Sequence, residues 1–354
     1  VKIHEKYIKR CIQLAENGIG TTYPNPMVGS LIVHNDKIIG EGWHRKAGEP
    51  HAEVNAINSV KDKSLLKKAT IYVSLEPCSH YGKTPPCSDL IIVSGFKKIV
   101  IGSIDPFPAV SGKGIKKLMD AGCEVILGIL DKECNALNKR FFTFHKHQRP
   151  YIILKWAQSI DGFLAPISSE ENHHREPVWI TNKYSQQLVH KWRSEETAIL
   201  VGTNTAVMDN PKLNTRLWEG TNPVRLVIDR RLRLTGDSAL LDESTKTIVI
   251  CEEEAHKTNP KTSSENLIFE TIDFNKEVTA EICKILYKHD IQSVIIEGGT
   301  RTIQSFIDSG LWDEARVFTG DAHFKRGIKA PLTPGTFKEN NTQTGDTLRI
   351  YSND

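Results

Sequence analysis

Apolar positions in the first third of the chain switch repeatedly between helical and strand spacing. Tyr7, Ile8, Cys11, Ile12 and Ala15 fall on one helical face, which Gly18 closes. Val28 to His34 and Ile38 to His44 read as two strands of a hairpin with its turn at Asn35-Asp36. A helix over Ala52 to Val60 begins at His51, a β-rich run follows from Thr70 to Leu75, and Cys87 opens a short helix over Asp89 to Val93. Lys98 to Ser103 reads as a strand, Gly114 to Ala121 as a helix capped by Gly122, and Glu124 to Leu127 as another strand. Such alternation predicts an α/β sandwich.

The basic, polar stretch from Lys132 to Arg149 is expected to form a linker helix and connection ending at Pro150, after which the pattern restarts. Strands are predicted at Tyr151 to Ala157, Ala198 to Val201, Val224 to Asp229, Thr247 to Cys251 and Ser293 to Glu297. Helices are predicted at Lys183 to Ser194, Val278 to Tyr287 and Thr302 to Ser309. The expected organisation is therefore two α/β domains, 1–147 and 148–354. Glu252 to Glu265, charged and polar, is expected to be a surface loop. No heptad, solenoid period or low-complexity tract interrupts the pattern.

A length of 354 residues gives each domain enough chain for its own core. The 46 basic and 43 acidic residues leave a net charge of +3, too small for non-specific nucleic-acid binding, although a local patch can still hold an anionic ligand. No apolar run reaches the roughly 18 to 20 residues of a membrane span. Lys2, Lys6, Lys9 and Arg10 interrupt the amphipathic N-terminal stretch, so it lacks a signal peptide's apolar core and a cytoplasmic location is expected. Seven cysteines, an odd number spread over both halves, argue against a disulfide framework. Cys11, Cys123, Cys134, Cys251 and Cys283 stand alone and read as fillers.

Cys78 and Cys87 differ in having partners. His51-Ala52-Glu53, Pro77-Cys78 and Pro86-Cys87 offer one imidazole and two thiolates, a three-ligand zinc set whose fourth tetrahedral position suits a water. A structural zinc site normally uses four protein ligands, so an open position points to catalysis. Glu53 is not needed as a ligand and is free to move protons. Both cysteine segments lie at loop-to-helix junctions, where unpaired N–H groups favour the thiolate. H-x-E followed by P-C and a second cysteine is a zinc-deaminase signature, with eight rather than two residues between the cysteines.

With these residues in view, the first domain resembles the cytidine-deaminase superfamily, and more narrowly the bacterial bifunctional riboflavin-biosynthesis deaminase/reductases. Four stretches carry the likeness: Thr22-Tyr23-Pro24-Asn25-Pro26-Met27-Val28-Gly29, Gly42-Trp43-His44, the His51 triplet, and Pro77 to Cys87. Polynucleotide deaminases have the short Cys-x-x-Cys form instead. The resemblance implies zinc on His51, Cys78 and Cys87, acid/base work by Glu53, and substrate contacts from Asn25, His44, His80 and Lys83. One position departs from the family pattern: Phe107, in Asp105-Pro106-Phe107-Pro108, stands where the family often has asparagine.

The second domain shows no G-x-G-x-x-G after its first strand, which argues against a Rossmann fold. Lys155 to Gly162 resembles the first strand of reductases with the dihydrofolate-reductase fold. Trp179-Ile180-Thr181, Val201 to Thr205 running into Asp209 to Arg216, and Glu297-Gly298-Gly299-Thr300 agree with the reductase half of the same family. Gly298-Gly299, between a strand and a helix, offers bare N–H groups to a phosphate. The resemblance implies an NADPH pocket lined by Ala157, Trp179, Thr205, Asp209 and the run Gly299, Thr300, Arg301, Thr302, Ile303, Gln304, Ser305. It assigns the sugar phosphate to Lys155, Arg193, Leu213, Arg216 and Glu297. Guanidinium groups suit that role because they fork onto two oxygens and keep their charge.

The expected fold is thus a cytidine-deaminase-like α/β/α sandwich followed by a dihydrofolate-reductase-like α/β domain. The expected activity is zinc-dependent hydrolytic deamination of 2,5-diamino-6-ribosylamino-4(3H)-pyrimidinone 5′-phosphate, then NADPH-dependent reduction of the ribosyl group to ribityl. The partner is a small phosphorylated pyrimidine, with no nucleic acid and no membrane, and a homo-oligomer is compatible with these features. Two rivals predict other features. A polynucleotide deaminase with an accessory domain needs a basic face and the short cysteine spacing. A zinc-stabilised nucleotide-binding module has no use for Glu53 beside the metal.

Overall fold

The computed structural model describes residues 2–79, 81, 85–107, 111–166, 179–332, 335–342 and 345–354. The chain divides into two compact units, Val1–Gln148 and Arg149–Asp354.

In the first unit the helices are α1 (Lys2–Ala15), α2 (Ala52–Ser59), α3 (Cys87–Val93), α4 (Lys113–Asp120), α5 (Asp131–Leu137) and α6 (Lys139–His147). The strands β1 (Gly29–His34), β2 (Lys37–Trp43), β3 (Thr70–Leu75), β4 (Lys98–Ser103) and β5 (Glu124–Leu127) form one sheet in the order β2-β1-β3-β4-β5. Asn35 and Asp36 both take positive φ, 48° and 57°, as the tight turn between β1 and β2 requires. Strand alternation distributes the core over both faces. Leu31, Val33, Tyr72 and Val100 pack with Tyr7, Ile8, Cys11 and Leu14 of α1, whereas Ile32, Ile71, Val73, Ile99 and Ile101 pack with Ala56 of α2, Ile91 of α3 and Leu118 of α4. The metal-binding segments lie at the starts of α2 and α3 and beyond the end of β3, all on that second face.

The expected linker over Lys132 to Arg149 is not a linker. Its residues form most of α5 and all of α6, both within the first unit, and bury Cys134, Asn138, Arg140, Phe141, Phe142 and Phe144. Phe141 and Phe142 pack with Leu75. Charged residues on either side of the aromatic ones hide this apolar face from a composition reading. At the break between the helices, Asn138 accepts the Met27 N–H and donates to the Met27 carbonyl, each at 2.8 Å.

The second unit contains a nine-stranded sheet in the order β11-β10-β9-β8-β12-β6-β13-β16-β15. Its members are β6 (Tyr151–Gln158), β8 (Ala198–Gly202), β9 (Val224–Ile228), β10 (Thr247–Glu252), β11 (Leu267–Ile272), β12 (Ser293–Ile296), β13 (Glu314–Thr319), β15 (Thr336–Asn341) and β16 (Thr347–Ser352), while β7 (Phe163–Pro166) pairs with β14 (Gly327–Lys329). From β11 through β13 every neighbouring pair is parallel, and the β13–β16 and β16–β15 pairings are antiparallel. Helices α10 (Val278–Lys288) and α11 (Thr300–Asp308) pack Ile282, Leu286, Ile303 and Phe306 against one face. Helices α7 (Lys183–Glu195) and α8 (Thr203–Asp209) pack Val189, Trp192 and Ala206 against the other. The segment expected to be a surface loop starts instead with a short helix, α9 (Glu253–Thr258), although it buries nothing.

Candidate active sites

In the first unit, His51 precedes α2 in an extended conformation, Cys78 lies just beyond β3, and Cys87 is the first residue of α3. Their three donor atoms lie within 4.8 Å of one another. His51 Nδ1 is 3.6 Å from Cys78 Sγ and 3.4 Å from Cys87 Sγ. Zinc bonds of about 2.0 Å to nitrogen and 2.3 Å to sulfur, at tetrahedral angles, separate nitrogen from sulfur by about 3.5 Å. The triad therefore fits a zinc ion as it stands.

Electrostatics agree. Contact with the Cys87 thiol, opposed by burial and helped by His51 and the Cys87 N–H, holds the Cys78 thiol down at about 4. The Cys87 N–H donates to Cys78 Sγ at 3.3 Å. Cys87 is pushed up, first by the neighbouring Cys78 sulfur and then by burial. Two sulfurs sharing one proton form a pair from which a divalent cation displaces that proton. Glu53, in the first turn of α2 and 3% exposed, is raised to about 7 by burial and by the charge of Cys78.

His44 is buried with its ring 5.2 Å from that of His51. Asn25 Nδ2 lies 3.1 Å from His44 Nε2, and His44 Nδ1 lies 3.3 Å from the Pro50 carbonyl. These partners fix the tautomer: Nδ1 carries the proton and Nε2 accepts from Asn25. Burial lowers the His44 pKa accordingly, although the Pro50 carbonyl opposes this. His80 and Lys83 lie outside the described residues. Phe107 packs on His145, ring centroids 5.0 Å apart.

Two residues missed by sequence reasoning hold this site together. Asn138 fixes Met27, two residues from Asn25. Glu76, buried beside Pro77-Cys78, accepts the backbone N–H groups of Asp105, Gly112, Gly114 and Ile115 at 2.9 to 3.3 Å. Its position before the Pro-Cys pair was the available signal.

In the second unit, β12 and β6 run parallel with Ile296 beside Leu154, so Glu297 and Lys155 follow side by side. Lys155 Nζ lies 3.1 Å from Glu297 Oε1, and Arg193 donates to Glu297 Oε2 at 2.6 Å. Arg193 also donates to the Asn214 carbonyl, and Arg216 to Asn214 Oδ1. Leu213 is buried with φ of 50°. His190, which sequence reasoning passed over, accepts the Arg216 N–H; its spacing of three from Arg193 on α7 was the only signal.

Gly299 precedes α11 with φ of 70° and, as a glycine, gives no side-chain cap, so the first N–H groups of a nine-residue helix have no capping acceptor from that residue. A Cβ on Gly298 would crowd Val201 and Thr205, and one on Gly299 would approach Thr205 Oγ1. Glycine backbone, hydroxyl groups and a helix N-terminus together fit the phosphates of a dinucleotide. Ala157 is half-buried and packs on the core, Trp179 is 62% exposed and Arg301 is exposed. Asp209 ends α8. Further along α11, Ile303 points into the core, Gln304 bonds Asp308, and Ser305 bonds the Thr302 carbonyl.

Comparison with known proteins bears on both units. Residues 1–103 match the cytidine and deoxycytidylate deaminase zinc-binding region, and residues 150–321 match the RibD C-terminal domain. The riboflavin biosynthesis protein RibD of Aquifex aeolicus is 41% identical over 329 residues, 92% of this chain and 89% of that protein. The chain belongs to the RibD family. The Escherichia coli RibD is 36% identical over 89% of this chain and 86% of its own. A solved Thermotoga maritima structure, a diaminohydroxyphosphoribosylaminopyrimidine deaminase/5-amino-6-(5-phosphoribosylamino)uracil reductase, superposes with a TM-score of 0.87 at 37% identity and 99% coverage of both chains. An Acinetobacter baumannii RibD structure gives 0.85 at 31% identity, again covering 99% of both chains. As a RibD-family member the chain is a bifunctional deaminase/reductase of riboflavin biosynthesis. It has a zinc-dependent, cytidine-deaminase-like domain and an NADPH-dependent, dihydrofolate-reductase-like domain.

Proposed function

We propose that the first unit deaminates a 2,5-diamino-6-ribosylamino-pyrimidinone 5′-phosphate and that the second reduces the ribosyl group of the product to ribityl. The observation that carries the first half is Glu53, buried beside a three-donor His-Cys-Cys set. His51, Cys78 and Cys87 would hold a zinc ion, which when bound would supply Lewis acidity for a water nucleophile. Glu53 takes the proton from the attacking water and returns it to the nitrogen that leaves as ammonia. Asn25 keeps its Oδ1 and second N–H for a base edge, with His44 fixing the amide. His80 and Lys83 belong to this proposed substrate set on the resemblance alone.

In the second unit, NADPH supplies the hydride, and the chain's own residues bind and orient. Thr205, Gly299 and the helix start Thr300 to Thr302 hold cofactor phosphate, with Ala157, Trp179, Asp209 and the following Ile303, Gln304 and Ser305 completing that pocket. Arg193, Arg216 and Lys155 receive the substrate's phosphate end, with Glu297 between two of them and Leu213 shaping the loop. The two reactions belong together because one product keeps the same phosphate for the next step. A cytoplasmic location is supported by the five cysteines outside the metal set, none of them in a disulfide, and no helix among the described residues is long and apolar enough to cross a membrane.

A coupled assay tests the whole reading: ammonia and NADPH are followed together on the diamino substrate, with metal analysis, with and without a chelator. Chelation should stop ammonia release, yet leave NADPH oxidation intact when the deaminated compound is supplied directly. Ammonia release from a zinc-free protein would refute the first half. Failure to oxidise NADPH with the deaminated compound would refute the second.

A further inference from the structure

Three cations, Lys155, Arg193 and Arg216, gather near one carboxylate, Glu297. Lys155 and Arg193 both pair with it. Arg216 forms no ion pair among the described residues; its guanidinium meets only Asn214 Oδ1, at 3.4 Å. The Asn214 carbonyl takes an N–H of Arg193 at 3.2 Å, so one residue separates the two guanidiniums. Arg193 Nε is buried and has no hydrogen-bond partner among the described residues. The cluster carries surplus positive charge and unused donors, as a site for a dianionic phosphate does.

Besides the Arg193 bond to the Asn214 carbonyl, Arg216 has a support from outside the cluster. The loop that carries it has no helix or strand from Asn210 to Asn222 and takes left-handed backbone at Asn210 (φ 38°) and Leu213 (φ 50°), both non-glycine. Such a loop keeps its shape only where its surroundings hold it. Thr215 is tied back to Asn222, which closes the loop on itself. Leu213 is buried in the core, which anchors one point. The bond that reaches from Arg216 itself to a helix is its N–H to His190 Nδ1, at 3.1 Å. His190 lies on α7, one turn before Arg193, and is 3% exposed. To accept at Nδ1 it must be neutral with its proton on Nε2. Burial, then the charges of Arg193 and Arg216, hold its pKa down to about 4, so the accepting form persists near neutrality.

We propose that His190 is a positioning residue of the reductase, docking the Arg216 backbone onto α7 and so setting the spacing of Arg193 and Arg216 for a phosphate monoester. This deepens, and rests on, the reading of the cluster as the substrate-phosphate site.

The test uses the full chain and three variants. His190→Ala removes the acceptor, His190→Phe fills the space without accepting, and His190→Asn restores an acceptor through Oδ1. Reductase KM and kcat are measured with the deaminated ribosyl phosphate, together with inhibition by inorganic phosphate, and ammonia release reports an intact first unit. Loss of one such hydrogen bond predicts roughly a tenfold rise in KM and a similar weakening of phosphate inhibition for Ala and Phe, with kcat nearly unchanged. Asn should recover most of the loss. If Ala fails to fold, the comparison of Asn with Phe decides. Indistinguishable Asn and Phe variants would reduce His190 to a packing residue and overturn the proposal. Arg216→Gln, run in parallel, separates the two levels. An effect of Arg216→Gln with none from the His190 variants sinks the positioning role but leaves the phosphate site standing, whereas no effect of Arg216→Gln removes the site and the proposal with it.

Discussion

Glu76 accepts the backbone N–H of Gly114 at 3.0 Å, which ties the residue ahead of Pro77-Cys78 to the first turn of α4. Gly114 permits this because a side chain there would run into the Pro77 carbonyl oxygen, a backbone atom that no rotamer change can move aside. Gly114→Ala should therefore displace the peptide before Cys78. Outer partners of metal ligands typically contribute about 10- to 100-fold to metal affinity. The variant is expected to lose zinc to a competing chelator at least about tenfold more readily, with NADPH oxidation unchanged. Zinc retention equal to the parent's would show that the α4 contact does not position Cys78.

Glu53→Gln keeps the shape of the side chain but cannot carry a proton between water and leaving nitrogen. General acid–base catalysis contributes about 10²- to 10⁴-fold, so ammonia release should fall by at least about a hundredfold while zinc content and NADPH oxidation stay at parent levels. Undiminished ammonia release with zinc still bound would exclude Glu53 as the proton carrier.

Asn138 reaches Met27 with both ends of its amide. Asn138→Asp keeps an acceptor for the Met27 N–H but turns a carboxylate oxygen toward the Met27 carbonyl. A buried group left unsatisfied costs about 1 to 3 kcal/mol, so the variant should be less stable by roughly that amount. Because Met27 is two residues from Asn25, deaminase KM should rise more than kcat falls. A stability loss with unaltered deaminase kinetics would confine Asn138 to the scaffold.

These cases show which parts of the molecule were legible in the sequence. His51, Cys78 and Cys87 could be read because metal ligation demands particular residue types, and each stands in a short local pattern, His-x-Glu or Pro-Cys. Strands such as Thr70 to Leu75 and Lys98 to Ser103 could be read because their apolar runs are continuous. Asn138 could not, since its partner is 111 residues upstream and asparagine has many other uses. His190 could not, since it binds a backbone N–H, which leaves no mark in composition. Helix α6 reads as a linker helix rather than a core one because Lys139, Lys146 and two histidines flank its three phenylalanines. Strand β15 is not legible because exposed polar residues fill it at the edge of the sheet.

Glu297 provides a stability test that depends on the sign of one pKa shift. Burial alone would raise its carboxyl, but Arg193 and then Lys155 outweigh burial and bring it from 4.5 to about 2. The unfolded chain then holds this proton more tightly than the folded one. The stability due to the ionised group is complete above about pH 4.5 and is lost as the pH falls toward 2, an amount on the order of 3 kcal/mol. Tryptophan fluorescence follows the second unit, since all but Trp43 of the 6 tryptophans lie there. The thermal midpoint of the parent should drop across that acid window. Glu297→Gln should remove this part of the drop, and near neutrality it should unfold at lower temperature, because Lys155 and Arg193 then face no charge, a loss of about 3 to 5 kcal/mol when a buried pair is broken. Parallel falls in parent and variant between pH 4.5 and 2 would assign the titration to another group.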